Sequence, residues 1–420
     1  MIVGASDNLF VLAGIAAIGL NIVFWAFVGI LRLVATLGHR FNQARESRFS
    51  PSDVAIVIPA FNEENALPAC LAAAKRVVSA ERIFVGDDAS TDQTRDVASK
   101  LGCSVHTAEN NIGKARILDA TISRFELCKN YKVILILDAD SELDGDYLKY
   151  GLRLFDRPNV AVVAGHVVSR SVTEGGLVAG LINSYRSRLY AIVQAFVKYG
   201  QTWHCANVTY IAPGFASMYR TDTLKNVNIV APGLVIEDFN MTFEIHRKQL
   251  GEVAYSPAVK CSTEDPSTLG DYSRQVRRWY LGFWQTIRRH RFWIGKFWLA
   301  LVPVILESVM ASLFMLALPG LVIWSFADAA FDNPLKELGN GNLTLSPELG
   351  IVAFLAMDFM LTCLAAAILR RPLMIIYGLA FPLIKSIDAF WFVVTLWQAF
   401  TVNSDGRWKS PTRANRSQQA

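Results

Sequence analysis

The stretch KVILILDAD, residues 132–140, decides the fold that we expect for this chain. It is a short run of apolar residues that ends in two aspartates, Asp138 and Asp140. A continuous apolar run of this length is typical of a strand that is buried on both faces, as strands are in parallel sheets. Because ligands bind where such strands end at their carboxyl edge, the two aspartates lie where a functional site is expected.

Three earlier runs have the same character and are separated from one another by amphipathic segments. The strand-like runs read VAIVIPA (54–60), RIFVGDD (82–88) and CSVHTAE (103–109). The helix-like segments read ALPACLAAAKRVVS (66–79), TDQTRDVASKL (91–101) and GKARILDATISRFEL (113–127). This alternation predicts an α/β fold, with a parallel sheet and helices on both of its faces.

Acidic residues gather at the predicted carboxyl edge. Asp87 and Asp88 end the second strand, as Asp138 and Asp140 end the fourth. Carboxylates held together repel each other, and a divalent cation with oxygen ligands relieves that repulsion. Magnesium takes one or two carboxylates and completes its coordination with substrate phosphates. The pattern therefore indicates a metal–diphosphate site, although either pair alone is equally compatible with ordinary acidic loop residues.

A glycine–lysine pair stands at the start of a predicted helix. The segment NNIGKA (110–115) places Gly113 and Lys114 where backbone N–H groups and a lysine side chain can hold a phosphate. The chain has no GxxxxGK[ST], which disfavours ATP hydrolysis, and no GxGxxG, which disfavours a dinucleotide enzyme.

The pair Glu237–Asp238 lies in GLVIEDFNMTFEIHR (233–247), between a strand-like and a helix-like segment. An acid at a helix start is favoured by capping and by the helix dipole, which gives Asp238 a purely structural explanation. The functional alternative is a general base that deprotonates a hydroxyl.

The composition disfavours an ordinary soluble enzyme. The chain has 420 residues, 52% of them hydrophobic and 18% charged, with a mean hydropathy of +0.30. The net charge of +5 is mild, and the arginines cluster beside apolar runs, so we expect a basic collar at a membrane rather than nucleic-acid binding. The six cysteines form no CxxC pair, which disfavours a zinc site or a disulfide framework and fits a cytosolic domain.

Long apolar runs predict a multi-pass membrane protein. Leu9–Leu31 carries no charge and is long enough to span a bilayer, and the arginines after it predict that this end faces the cytoplasm. Phe297–Phe326 and Leu349–Leu369 are two further predicted spans. Leu373–Phe400 stays open: a simple span would put the basic tail outside, against the positive-inside rule, and the segment is alternatively an interfacial segment plus a span, or a broken hairpin. We expect the tail in the cytoplasm.

Four ionisable residues lie within these apolar runs. Such residues either pair between helices or line a water-filled path, and the sequence leaves both readings open. They are Glu307, Asp358, Lys385 and Asp388.

Eight segments, in this order, resemble the inverting family-two glycosyltransferases of GT-A fold, and more narrowly the membrane-embedded cellulose, chitin, hyaluronan and poly-N-acetylglucosamine synthases. The segments are IPAFNEE (58–64), VGDDASTDQT (85–94), NIGKA (111–115), LDADSEL (137–143), APGFASMYRTDTL (212–224), VIEDFNMTFEI (235–245), TEDPSTL (263–269) and RQVRRW (274–279). The chain has no clear counterpart of the gating loop or the PilZ domain of cellulose synthases. Its length is closer to that of poly-N-acetylglucosamine and chitooligosaccharide synthases.

The resemblance implies roles for individual residues. The nucleotide site would be lined by Phe61, Glu63, Asp88, Lys114 and Asp138. Asp138 and Asp140 match the Asp-x-Asp motif, with Asp140 as the more direct ligand of Mg²⁺ or Mn²⁺. In the catalytic pair Glu237–Asp238, Asp238 matches the base. Gln275, Arg278 and Trp279 match the terminal Gln-x-x-Arg-Trp motif, which contacts acceptor and diphosphate.

With this resemblance we divide the chain into four parts. They are an N-terminal transmembrane helix and basic linker (1–50), a cytosolic GT-A domain (51–290), transmembrane or interfacial helices (291–400) and a basic tail (401–420). The fold class is thus an α/β GT-A domain with a Rossmann-like mixed sheet, flanked by transmembrane helices.

The leading functional hypothesis is a metal-dependent β-glycosyltransferase in the plasma membrane that extends a polysaccharide from a UDP-sugar, with UDP-N-acetylglucosamine as one candidate donor. One alternative is a transferase that adds a single sugar to a lipid-linked acceptor. Another is a membrane scaffold or transporter with a degenerate transferase domain, which the complete set of acidic residues disfavours. The implied partners are the donor, a glycan or lipid-linked acceptor, the bilayer and an accessory membrane subunit.

The segment SRQVRRWYLGFW (273–284) combines positive charge with aromatic surface. If it is helical, Gln275, Arg278 and Trp279 share one face, which suits a sugar or a diphosphate. A second face carries Tyr280, Phe283 and Trp284, which we expect at the membrane interface, with Arg274 and Arg277 as collar residues.

Overall fold

The computed structural model describes residues 19–37, 47–170, 176–331, 347–402, 404 and 406; for 325–331 and 347–350 it describes the helical backbone only. Within these residues eight strands form one sheet, in the order β3-β2-β1-β4-β7-β6-β8-β5. Their bounds are β1 Val54–Ala60, β2 Ile83–Asp87, β3 Ser104–Thr107, β4 Val133–Leu137, β5 Glu142–Leu143, β6 Val160–Ser169, β7 Ala216–Arg220 and β8 Glu252–Thr263.

The four strands predicted from sequence are adjacent and parallel, as expected. β1 pairs with β2 and β4, and β2 pairs with β3, all in parallel register. The other half of the sheet is mixed, because β7 runs antiparallel to both β4 and β6, while β6 and β8 are parallel. The predicted GT-A fold class is confirmed.

Helices pack on both faces of the sheet. Those of the globular part are α2 Leu67–Lys75, α3 Thr94–Lys100, α4 Lys114–Arg124, α5 Leu127–Asn130, α6 Tyr147–Leu154, α7 Gly176–Ile192, α8 Tyr199–Gln201, α9 Thr221–Leu224, α10 Asp238–Arg247 and α11 Leu269–His290. A π-helical segment, Val193–Lys198, joins α7 to α8. All seven residues of β1 are buried. Ile56 and Ile58 belong to one core cluster and Ala55 and Val57 to another, as the alternation of side chains along a strand requires.

Four helices of the described chain are long and apolar enough to cross a membrane: Leu20–Leu37, Lys296–Trp324, Ile351–Leu369 and Phe381–Thr401. The chain is therefore a membrane protein. The apolar helices are α1 Leu20–Leu37, α12 Lys296–Phe331, α13 Pro347–Leu369, α14 Leu373–Gly378 and α15 Phe381–Thr401.

Two of the predicted spans agree with α12 and α13. The first predicted span and the open segment 373–400 differ in their bounds from the helices observed there. Residues 9–18 of the first predicted span lie outside the described residues, and α1 continues past Arg32, which donates hydrogen bonds to Tyr199 O and Thr202 Oγ1. This arginine is therefore bound to the globular part. The open segment 373–400 divides into the short α14 and the long α15. The basic tail from 407 onward lies outside the described residues.

α15 contacts the globular part at both of its ends. Near its start, the ring of Phe381 lies 5.4 Å from the ring of Tyr185 in α7. After its end, Val402 O accepts a hydrogen bond of 3.2 Å from Gln285 Nε2, and Ser404 forms a β-bridge with Gly233. The described end of the chain therefore returns to the globular part.

The four ionisable residues of the apolar runs all have partners on other helices. Glu307 accepts hydrogen bonds from the backbone and side chain of Asn21. Asp358 forms ion pairs with Arg188, at 3.0 Å, and with Lys385. Asp388 accepts hydrogen bonds from Tyr185, at 2.7 Å, and from Tyr272, at 2.6 Å. These contacts agree with the paired-contact reading.

Candidate active site

Lys114 joins the two acidic regions that the sequence singled out. Its amino group lies 2.7 Å from Asp138 Oδ1 and 2.9 Å from Glu237 Oε1. Although burial acts in the opposite direction, these two carboxylates raise the pKa of Lys114, which therefore stays protonated. The same contact lowers the pKa of Glu237 despite its burial. Burial raises the pKa of Asp138, as does Asp140, against the effect of Lys114.

Asp238 has a different environment from its neighbour Glu237. Its carboxylate accepts hydrogen bonds from the backbone N–H groups of Gly214, at 3.2 Å, and Phe239, at 2.7 Å. Neither bond has the geometry of an N-cap, in which the carboxylate accepts from an amide two or three residues further on, so the capping explanation is wrong. Burial, and then the charge of Glu237, raise the pKa of Asp238 to about 6. A carboxylate with this pKa suits proton transfer near neutral pH.

Gly214 lets the backbone lie close to this acidic pair. A Cβ atom at this position would lie 3.1 Å from Glu237 Oε1 and 3.3 Å from Asp238 Cβ. The glycine in APGFASMYR is therefore explained by packing, which the sequence alone did not reveal.

Asp88 organises the loop before α4, and its contacts limit one expectation. Its two carboxylate oxygens accept hydrogen bonds from the backbone N–H groups of Ile112, at 2.7 Å, and Gly113, at 2.8 Å. The amides of Ile112 and Gly113 are thus occupied by Asp88, so these two do not hold a phosphate in the structure, whereas the bonds say nothing of the amides further into α4. Gly113 has φ +92°, a conformation that favours glycine. Asp88 is fully buried, so it supports the edge of the site from the interior of the protein.

The remaining predicted nucleotide-site residues lie at the same edge of the sheet. Phe61 follows β1 directly and is half-buried. Glu63 is 1% exposed, and its backbone N–H donates to Thr94 Oγ1 at 2.7 Å. The backbone N–H of Asp88 donates to Ala60 O at 2.9 Å, which holds the ends of β1 and β2 together.

The two aspartates of the Asp-x-Asp motif offer a limited set of metal ligands. Within the described residues no three His, Cys, Asp or Glu side chains form a group that could hold a metal by themselves. Asp140 is half-buried after β4, and the side chain of Asp138 is 28% exposed. One or two carboxylates at an accessible edge fit a magnesium or manganese ion that takes its other ligands from a diphosphate and water.

The terminal motif lies on α11 as predicted. Thr268 caps this helix by accepting from the N–H of Asp271 at 3.1 Å, and three basic residues close its last turn. Gln275 and Trp279 are half-buried and both contact Arg186 of α7. Arg278 is exposed, and its charge contributes to lowering the pKa of Glu237.

The expectation for the second face of α11 is wrong. Phe283 is 7% exposed and Trp284 6%, and Trp284 Nε1 donates to Phe392 O at 3.0 Å. They pack against α10, α12 and α15, so protein side chains surround them. Arg277 also binds α15, with Nε 3.1 Å from Gln398 Oε1. Arg274, whose side chain is 72% exposed, and Arg277, which is also exposed, both fit the collar description.

Two cations near the site were missed at the sequence level. Burial lowers the pKa of Lys198, in the π-helical segment, to about 7, against the opposing effect of Asp238. Arg186 is 2% exposed beside Gln275 and Trp279. A single cation within an apolar helical segment gives little indication of its partners, and neither residue lies in a motif.

Comparison with known proteins identifies the class of this fold. The described structure resembles the mannosyltransferase PcManGT of Pyrobaculum calidifontis, solved in complex with GDP-Man and Mn²⁺, with a TM-score of 0.54 and 15% identity over 91% of this chain and 99% of that chain. At this identity the likeness concerns the fold alone, which is that of the GT-A glycosyltransferases.

The sequence is also similar to known families and relatives. Residues 133–335 match the model of the family described as Glycosyl transferase family group 2. Poly-β-1,6-N-acetyl-D-glucosamine synthase of Staphylococcus epidermidis is 23% identical over 249 residues, 56% of this chain and 57% of that protein. The synthase of Staphylococcus aureus strain COL is 24% identical over 226 residues, 50% of this chain and 52% of that protein. The matched region thus spans little more than half of these curated relatives.

Proposed function

We propose that this chain transfers a sugar from a UDP-sugar to a growing β-linked polysaccharide, with inversion at the anomeric carbon. UDP-N-acetylglucosamine is the first donor to test, because the curated relatives are poly-β-1,6-N-acetyl-D-glucosamine synthases. The observation that carries the proposal is the environment of Asp238, a carboxylate whose pKa is raised to about 6 beside the Lys114–Asp138–Glu237 cluster.

Asp238 acts as the general base. It accepts the proton of the acceptor hydroxyl as that oxygen attacks the anomeric carbon and the bond to the diphosphate breaks. A single displacement of this kind inverts the anomeric centre, so an α-linked donor gives a β-glycoside. Glu237 is held by Lys114 and serves to raise the pKa of Asp238.

Asp138 and Asp140 would hold Mg²⁺ or Mn²⁺ together with the diphosphate of the donor. The bound cation would neutralise the charge that develops on the leaving diphosphate. Phe61, Glu63 and Asp88 form the wall of the nucleotide site at the ends of β1 and β2. While no donor is bound, the positive charge of Lys114 partly balances the negative charges of Asp138 and Glu237.

Gln275, Arg278 and Trp279 form the acceptor side. An indole ring offers an apolar surface to the C–H face of a sugar, and the glutamine amide offers hydrogen bonds to its hydroxyls. Arg278 is exposed toward the Glu237 region and can bind the diphosphate through its guanidinium. Retention of the growing chain on this face would make the enzyme processive.

The catalytic domain is proposed to face the cytoplasm from the plasma membrane, because the basic residues that follow the first apolar run favour that side. The contact of Val402 with Gln285 then places Val402 on the same side as the globular part. A cysteine introduced at Gly406 should be labelled from the side on which the exposed Cys205 is labelled. Labelling from opposite sides would contradict this topology.

The test is a donor screen with the purified full-length chain in lipid vesicles. UDP-sugars and GDP-mannose are each supplied with Mg²⁺ or Mn²⁺, and both nucleotide release and saccharide product are measured. Absence of release and product with every donor would overturn the proposal. Mass spectrometry of the product separates a polymer from the addition of a single sugar to a lipid.

The Asp238→Asn variant provides the matched control. Loss of the base should reduce turnover by about 10²- to 10⁴-fold, while UDP binding stays intact. Turnover unchanged in Asp238→Asn would exclude this residue as the base.

A further inference from the structure

Arg186 of α7 is buried, and each of the three nitrogens of its guanidinium lies close to a polar group of a neighbouring side chain. Its Nε lies 2.7 Å from Asp265 Oδ1, and the side chains of the two residues are 3% and 0% exposed. Nη1 donates to Gln275 Oε1, and Nη2 donates to the hydroxyl of Tyr190. The guanidinium carbon also lies 4.7 Å from the centroid of the Trp279 ring.

This arginine therefore contacts two of the three residues of the terminal motif in different ways. The hydrogen bond fixes which way the Gln275 amide faces, because its oxygen is the acceptor. The cation–π contact fixes the plane of the Trp279 ring. A lysine cannot replace both contacts, since it lacks the planar fork of donors that a guanidinium provides.

Asp265 connects Arg186 to the Asp-x-Asp edge of the sheet. Its Oδ2 accepts from Asn183 Nδ2 at 2.9 Å, and the same amide group donates to Arg170 O at 2.6 Å. Arg170 in turn donates to Asp140 O at 3.3 Å. A continuous polar network thus joins the backbone of the predicted metal ligand to the side chains of the predicted acceptor site.

We propose that Arg186, held by Asp265, is a positioning residue that orients Gln275 and Trp279 toward the acceptor sugar. This inference rests on the proposed function and extends it to a residue outside every motif of the chain. Loss of the guanidinium geometry should impair extension of the acceptor while leaving nucleotide binding in place.

The chain offers a matched control on the same helix. Arg188 is also buried and ion-paired, with Asp358 at 3.0 Å, and it donates to Thr362 Oγ1 at 2.8 Å. Its ion-pair and hydrogen-bond partners belong to α13, and its guanidinium also lies over the rings of Tyr185 and Phe381, none of which is part of the terminal motif. Arg186→Lys and Arg188→Lys make the same chemical change in similarly buried ion pairs, and we expect only the first to affect acceptor handling.

The first measurement does not depend on activity. The full-length chain is labelled with 5-fluorotryptophan, and the ¹⁹F resonance of Trp279 is assigned by its loss in Trp279→Phe. We expect Arg186→Lys to shift or broaden this resonance and Arg188→Lys to leave it in place. A Trp279 resonance that is the same in wild type and Arg186→Lys would overturn the inference.

The second measurement follows the reaction. Arg186→Lys should lower kcat about tenfold or more and shorten the product, with the Kd for UDP and the KM for the donor changed less than about twofold. Equal losses of kcat in Arg186→Lys and Arg188→Lys would also overturn the inference. If the wild-type chain shows no transfer with any donor, the proposed function fails, whereas the fluorine resonance still tests the positioning contact.

A double variant provides the test if Arg186→Lys does not fold. Arg186→Leu/Asp265→Leu removes both buried charges together, which is often tolerated where removal of one partner is not. We expect this double variant to fold, to bind UDP and to make shortened product. Wild-type product length in the folded double variant would contradict a positioning role.

Discussion

Lys114 Nζ lies 2.9 Å from Glu237 Oε1, so a lysine at the start of α4 neutralises an acid at the start of α10. This contact divides the roles of the adjacent acids Glu237 and Asp238. Glu237 is ion-paired and has a lowered pKa, whereas Asp238 is bound by backbone amides and has a raised pKa. The members of an acidic pair that look equivalent in the sequence are therefore chemically distinct in the fold.

The raised pKa of Asp238 predicts the pH dependence of transfer. A base works only when deprotonated, so kcat/KM should be half-maximal near the pKa of about 6, reach its plateau above it and fall further as the pH drops below it. Glu237→Gln removes a negative charge that raises this pKa, and should therefore shift the acid limb to lower pH. The measurement is a pH–rate profile of both proteins. The exposed Glu81→Gln serves as control, and a limb that stays in place in Glu237→Gln would contradict the assignment.

Lys114→Met should destabilise the chain, because it leaves Asp138 and Glu237 together without a cation. The cost should be about 1–3 kcal/mol, discounted for the partial exposure of Lys114 and Asp138. Adding Glu237→Gln should recover part of this loss, since one of the two unpaired charges is then gone. Denaturant unfolding in detergent of the two single variants and the double variant measures the coupling. Strict additivity of the two changes would show that the ion pair contributes nothing to stability.

Trp279→Ala and Arg274→Ala should have unequal effects on the product, although both residues lie on α11. Trp279 is held on the acceptor side by Arg186, and its loss should abolish product or shorten it. Arg274 pairs only with Asp271 of its own helix among the described contacts, and its side chain is 72% exposed, so its loss should be mild. Product length by mass spectrometry compares the two. Equal shortening would argue against a sugar-binding face on α11.

Two tryptophans test whether the second face of α11 is a packed interface. Trp284 is 6% exposed and hydrogen-bonded to α15, whereas Trp397 of α15 is 75% exposed. Trp284→Ala should lower the free energy of unfolding by about 3–5 kcal/mol, because it opens a cavity in that interface. Trp397→Ala should change it by less than about 1 kcal/mol. Thermal unfolding in detergent distinguishes these outcomes, and a stable Trp284→Ala would restore the membrane-interface reading.

The sequence predicted the first half of the sheet well, since each of its four strands is an uninterrupted apolar run between helix-like segments. No local pattern in the sequence indicates that β7 lies antiparallel between β4 and β6, because strand pairing depends on contacts between distant segments. The spacing of Gln275, Arg278 and Trp279 likewise predicted their shared face, since helical periodicity alone determines it.

The sequence by itself determined the parallel strands, the acidic carboxyl edge, the apolar helices and the resemblance carried by the motif series. Only the tertiary structure decided that the loop amides of Ile112 and Gly113 bind Asp88, that α15 covers Phe283 and Trp284, and that Arg186 contacts Gln275 and Trp279. The physical reason is the range of the interactions. Periodicity and capping act over a few residues, whereas buried ion pairs and helix packing join side chains from segments that meet only when the chain is folded.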